Sequence, residues 1–113
     1  MDKIAHLERE IRQVQQEIAS LGDLRPGTLS RQYNVCGNPT CRCKASPPKK
    51  HGPYFQISWT RHSRSRSRFV RTPHLPTIRQ ELKNYARLQS LLHRWLDASI
   101  HLSDIHLKSD PTP

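Results

Sequence analysis

Three stretches of the chain carry a regular alternation of apolar and polar positions. In the first, Ile4, Leu7, Ile11, Val14, Ile18 and Leu21 recur at alternating spacings of three and four, with Glu, Gln and Arg at most other positions. This seam predicts a helix over 1–21, with Asp2 as N-cap and Gly22 as the residue just past its end. So short a helix with so narrow a stripe is marginal alone in water and needs a partner. In the second stretch, Phe55, Ile57 and Trp59 alternate with Tyr54, Gln56, Ser58 and Thr60, the period of a strand. Phe69 and Val70 mark a second short strand, with Arg61 to Ser65 as the connecting loop. In such a hairpin Phe69 joins Phe55, Ile57 and Trp59 on the inner face, and Arg66 and Arg68 join Gln56, Ser58 and Thr60 on the outer one. Thr28 to Val35 is expected to be partly extended.

The third stretch follows Thr72-Pro73-His74-Leu75-Pro76. Ile78, Leu82, Tyr85, Leu88, Leu92, Trp95, Leu96, Leu102 and Ile105 predict a long helix from Thr77 to about Leu107, opened by a Thr77/Gln80 capping box. Its face is broader than a heptad stripe, so more than one partner is expected. The excess over the first helix, about ten residues, is the expected route to a homodimer. Together the patterns predict an α+β fold: an antiparallel helical hairpin, or coiled-coil stalk, with an inserted zinc-bound β-hairpin tip. The divisions are an N-terminal coiled-coil helix (1–21), a basic tip (22–76), a C-terminal helix (77–107) and a flexible tail (108–113).

Charge changes this picture most. The formal net charge is +10. Residues 1–21 are net −1, 22–76 net +10 and 77–113 net +1, so the excess lies in the tip, where Asp23 is the one acid. A concentration of this kind points to a polyanion, most often nucleic acid. The residues expected to meet phosphates are Arg42, Lys44, Lys49, Lys50, Arg61, Arg64, Arg66 and Arg68. Tyr54 stands among them as a candidate for stacking on a base. Such contacts position a nucleic acid without reading its sequence.

The tip also holds all three cysteines, at spacing C-x4-C-x-C, with a histidine following. Cys36, Cys41, Cys43 and His51 offer three thiolates and one imidazole, a closed tetrahedral shell for structural Zn2+. Gly37-Asn38-Pro39 has the turn chemistry to fold Cys41 back toward Cys36. Cys41 and Cys43, two apart in extended backbone, would face the same way. His62 or His74 are alternatives to His51 as fourth ligand. With 34% apolar and 6% aromatic residues in 113, a metal would supply what a thin core lacks. The odd cysteine count, the lack of a signal-like start and the lack of a long apolar run lead to an expected location in a reducing cytoplasm.

The run LRPGTLSRQYNVCGNPTCRCKASPPKKHGPYFQISW, from Leu24 to Trp59, resembles a family of small prokaryotic proteins of no assigned activity. They share an Arg-Pro-Gly-Ser/Thr-Leu-Ser opening, a C-G-x-P-x-C-R-C core and an H-G-P-Y exit. The resemblance extends into the flanking helices and implies a setting, among transposases and mobile elements, but no mechanism. No catalytic constellation accompanies it: there is no nucleophile elbow and no Gly-rich phosphate loop, and four zinc ligands would leave no open coordination position. The expected function is therefore non-enzymatic: a nucleic-acid-binding accessory protein linked to a transposase. The alternative is an interaction module docking on a transposase or another acidic partner. A redox sensor, for which only the cysteines speak, is a third.

Overall fold

The computed structural model describes residues 2–34, 38–44 and 50–108. In chain order it contains α1 (Lys3–Ala19), β1 (Thr28–Asn34), a 3-10 turn (Arg42–Lys44), β2 (His51–Arg61), β3 (Arg64–Val70), a second 3-10 turn (Thr72–His74) and α2 (Leu75–Lys108). The fold is α+β. The chain forms two compact units, residues 1–24 with 83–113, and Arg25–Leu82.

The helical unit follows from the seam of α1. Leu7 and Val14, seven apart, are buried, and Ile4, Ile11, Ile18 and Leu21 are half-buried beside them. On α2, Leu91 and Ala98 are buried, and Leu88, Trp95, Leu102 and Ile105 complete a run at spacings of three and four. Ion pairs fix the direction of pairing. Arg87 meets Glu17 at 2.7 Å, and Arg94 meets Glu10 at 2.7 Å and Glu17 at 3.4 Å, so α2 recedes as α1 advances. The hydrogen bond to Glu10, against a smaller opposing effect of desolvation and with help from the charges of Glu10 and Glu17, holds the Arg94 guanidinium above its ordinary pKa. Asn84 donates to the Asp23 carbonyl at 2.9 Å, where the chain leaves the helix.

Several expectations are corrected here. Asp2 does cap α1, accepting from the Ile4 amide at 3.0 Å. The far end is closed by Ser20, whose hydroxyl donates to the Glu17 carbonyl at 2.8 Å, and Gly22 does not adopt the left-handed conformation of a terminating glycine. Helix α2 begins at Leu75, so Thr77 lies inside its first turn and not at the N-cap. Pro76 does not delay the helix because first-turn residues have no amide partner to lose. Leu92 and Leu96, expected on the buried face of α2, are 41% and 56% exposed. The small Ala98 takes the position in the seam that a search for large apolar residues overlooks.

In the second unit the expected two-stranded hairpin is a three-stranded antiparallel sheet, ordered β1-β2-β3. Leu29 pairs with Ile57 and Ile57 with Arg68, while Phe55 pairs with Val70 and Trp59 with Arg66. Ile57, Val70 and Leu75 form the core, with Leu29, Phe55, Trp59, Ile78 and Leu82 packed on it. Gly27 opens β1 at φ +131°, where a Cβ would stand 2.5 Å from the Ser58 carbonyl oxygen. Only glycine fits there, which accounts for the Pro-Gly step before the strand.

The β2–β3 connection is tighter than the expected five-residue loop. Arg61 pairs with Arg64, so only His62 and Ser63 turn the chain, at φ 52° and 63°. Two central residues with positive φ define the tight hairpin turn whose twist matches the strands. This turn sets the register, and a one-residue change of register turns every side chain to the other face. Phe69 is therefore not on the inner face: it is 66% exposed, and Val70 is buried in its place. Arg66 and Arg68 lie on the face of Trp59 and Ile57, not with Gln56, Ser58 and Thr60.

Candidate metal centre and basic surface

Consecutive turns build the cysteine site. The Asn38 side chain accepts from the Thr40 amide at 3.0 Å and from its hydroxyl at 2.9 Å. The Cys41 amide then donates to the Asn38 carbonyl at 3.1 Å, and the Lys44 amide to the Cys41 carbonyl at 2.9 Å. The backbone around Cys43 is thus a 3-10 turn and not the extended segment expected. Opposite it, His51 begins β2 and pairs with Asn34 of β1. The next residue, Gly52, has φ +135°, and a Cβ there would lie 2.8 Å from the Gln32 carbonyl oxygen. Its glycine character lets β2 pass close to β1 with His51 turned to the cysteines.

The result is a cluster of Cys41, Cys43 and His51 whose donor atoms all lie within 4.8 Å of one another. Cys41 Sγ is 3.2 Å from His51 Nε2, and Cys43 is fully buried. Tetrahedral zinc sets its sulfur and nitrogen ligands about 3.5–3.8 Å apart, as follows from bonds of ~2.0–2.3 Å. Cys41 Sγ and His51 Nε2 stand somewhat closer than that, the donor set is soft, and the cluster could hold a metal. Cys36, the third expected thiolate, lies outside the described residues. His62 sits at the β2–β3 turn, the opposite end of β2 from His51, and His74 lines a different cleft, so neither joins this cluster.

The basic residues divide by place. Arg42 and Lys44 lie on the 3-10 turn beside the cysteines and Lys50 directly before β2, all three exposed; Lys49 is outside the described residues. Arg61, Arg64, Arg66 and Arg68 are exposed on one face of the β2–β3 hairpin, and no ion pair among the described residues engages them. None of the three strands contains an acidic residue. Arg25 stacks over Trp59, 4.4 Å from the ring centre, and Arg79 stands over Phe55 at 5.8 Å. Arginine guanidinium groups thus cover the aromatic rings at the rim of the apolar face.

Sequence reasoning missed part of this surface. Arg25, Arg68, Arg71 and His74 line one open cleft of about 640 Å³ with Ile57 and Ile78. Arg25 Nε is buried there without a hydrogen-bond partner. The signal that could have found Arg25 and Arg71 was the absence of any acid from Arg25 to Gln80, a count independent of motifs. Tyr54 is 43% exposed on the face of Gln56 and Ser58, as expected.

A family model described as a domain of unknown function (DUF6788) matches residues 4–80, about two thirds of the 113, and the chain belongs to that family. No curated protein and no solved structure matches the chain.

Proposed function

We propose that this chain is a non-enzymatic, zinc-stabilised nucleic-acid-binding module, accessory to a transposase in the setting its resemblance implies. The observation that carries the reading is the row of Arg61, Arg64, Arg66 and Arg68, exposed on one face of an acid-free hairpin and engaged by no ion pair among the described residues. Alternate residues of a strand repeat every ~6.6–6.8 Å, so β3 presents a regular line of guanidinium groups. Guanidinium is the side chain best matched to phosphate, and such a line holds a backbone without reading bases. Zinc on Cys41, Cys43 and His51, with Cys36 as the expected fourth ligand, would fix the turn that carries Arg42 and Lys44. Its role is structural, because a closed shell of cysteine and histidine ligands would leave no open coordination position.

The test is fluorescence anisotropy with random-sequence nucleic acid over a series of salt concentrations. If about five cations meet phosphates, the log–log salt slope for duplex is about −4 to −5. Changing Arg64, Arg66 and Arg68 together to alanine lowers that slope by about two to three and weakens all sequences alike. Absence of binding at low salt removes this reading and leaves docking on an acidic protein partner.

A further inference from the structure

The two faces of the sheet differ in kind. One packs around Ile57 and Val70 and is rimmed by arginines. The register places Thr28, Ser30, Gln32, Tyr54, Gln56, Ser58, Thr60, Ser65, Ser67 and Phe69 on the other. Eight of these ten are small or neutral polar residues, tied by Gln32 donating to Gln56 at 2.8 Å and by a 3.0 Å bond between the Thr60 and Ser65 hydroxyls. The exceptions are Tyr54, 43% exposed, and Phe69, 66% exposed. Phe69 directly opposes Gln56, so Tyr54 is its diagonal neighbour, about 7–8 Å away across the strands. The two rings share the lining of a cleft of about 290 Å³ with Asn34. They also share one of about 440 Å³ with Pro53, Pro73 and Arg71.

We infer that Tyr54 and Phe69 form a stacking platform for successive bases of a single-stranded nucleic acid, with Arg71 at the rim of the cleft taking a phosphate. This rests on the nucleic-acid reading above and names its substrate class. The charge of the unit selects the occupant. From Arg25 to Leu82 the only acid is Glu81 against ten or more Lys and Arg, so the charge of the unit attracts a polyanion. The rest of the face is Ser, Thr and Gln, which leaves the two rings as its apolar contacts. A ring pair on an open, neutral sheet face within a cationic unit suits bases, whose flat faces any aromatic side chain can cover. Duplex is excluded from this platform because its base faces are already stacked on one another. The arginine row and the ring pair lie on opposite faces of the hairpin, so removing one leaves the other in place.

The experiment measures binding of the full-length protein to 12-nucleotide random single-stranded DNA, the same in RNA, and the matched DNA duplex, each over a salt series. The variants are Tyr54→Ala, Phe69→Ala, Phe69→Leu and Phe69→Trp. Wild type is expected to prefer at least one of the single strands to the duplex. Tyr54→Ala and Phe69→Ala are each expected to weaken that strand about tenfold or more with the salt slope unchanged, because no charge is removed. Phe69→Leu, which keeps an apolar side chain but no ring, is expected to lose as much as Phe69→Ala, whereas Phe69→Trp retains binding. Wild-type melting temperatures in these variants confirm that an exposed site was changed. If the alanine variants bind single strands as wild type does while salt-dependent binding persists, the platform is overturned and the phosphate-binding reading stands. If wild type binds no nucleic acid at low salt, both fall.

Discussion

The helical unit and the sheet unit use arginine in opposite ways. In the first, Arg87 and Arg94 sit against Glu10 and Glu17 and strengthen a seam already formed by Leu7, Val14, Leu91 and Ala98. In the second, Arg61, Arg64, Arg66 and Arg68 have no acidic partner among the described residues, and the apolar core beneath them is small. Net charge alone does not separate these uses, since a charge paired across helices contributes to structure and an unpaired one is free to meet a ligand. The strands carry no acid, and Glu81, the one acid between Arg25 and Leu82, lies on α2. The small sheet core also explains where a metal would matter.

The largest expected effect breaks the comparison at the metal. Elemental analysis of purified protein should find about one zinc per chain, and Cys43→Ser should release it. The sheet unit then loses several kcal/mol, because structural metal binding is also folding energy. The seam holds the helices by itself, so far-UV circular dichroism should retain most of its helical signal. Folded protein free of zinc, or complete loss of helix in the variant, would contradict this division of labour. Next in size is Val14→Asp, which places a charge at a position with no solvent exposure and should cost about 3 kcal/mol or more in thermal or urea unfolding.

A smaller effect sharpens the contrast between the arginines. Arg94→Ala removes contacts to two glutamates on an exposed surface and should lower the melting temperature only slightly, with no change in the salt slope of nucleic-acid binding. The triple change at Arg64, Arg66 and Arg68 should do the reverse. A matching loss of slope from Arg94→Ala would show that the helices also bind phosphate. The smallest effect concerns the turn between β2 and β3. His62 and Ser63 both hold left-handed backbone without being glycine. His62→Asn with Ser63→Gly should raise stability by roughly 0.5–1 kcal/mol, read as a higher melting temperature, and should leave binding untouched.

What was legible in the sequence depended on which interactions are local. The seam of α1 was readable because each apolar residue answers to the one three or four before it, and Leu7 and Val14 are buried as that period requires. The grouping of Cys41, Cys43 and His51 was readable from donor chemistry and spacing, whereas the 3-10 turn that holds Cys43 was not. The faces of Arg66, Arg68 and Phe69 were not, because they hang on whether the connection has two residues or five. The alternating Arg-Ser run carries no apolar period to fix its own register; only the pairing of Arg61 with Arg64 does so. Strand β1 was half visible, since its Leu29 is alone among polar neighbours and its partner Ile57 lies far along the chain. Arg25 was invisible as a site residue because its partner, Trp59, is distant in sequence.

The position of β3 in the sheet has one more consequence. With strand order β1-β2-β3, it is an edge strand, and its outer line of amide and carbonyl groups is free to recruit another strand. Were a second β3 to approach, its arginines would be brought near Arg64, Arg66 and Arg68, and like charges close together across a sheet oppose pairing. Charge repulsion of this kind opposes edge-to-edge pairing of copies, independent of any ligand. A polyanion that neutralises the row would also lift that repulsion, so that crowding of several copies on one strand becomes a question of how much charge each copy has left.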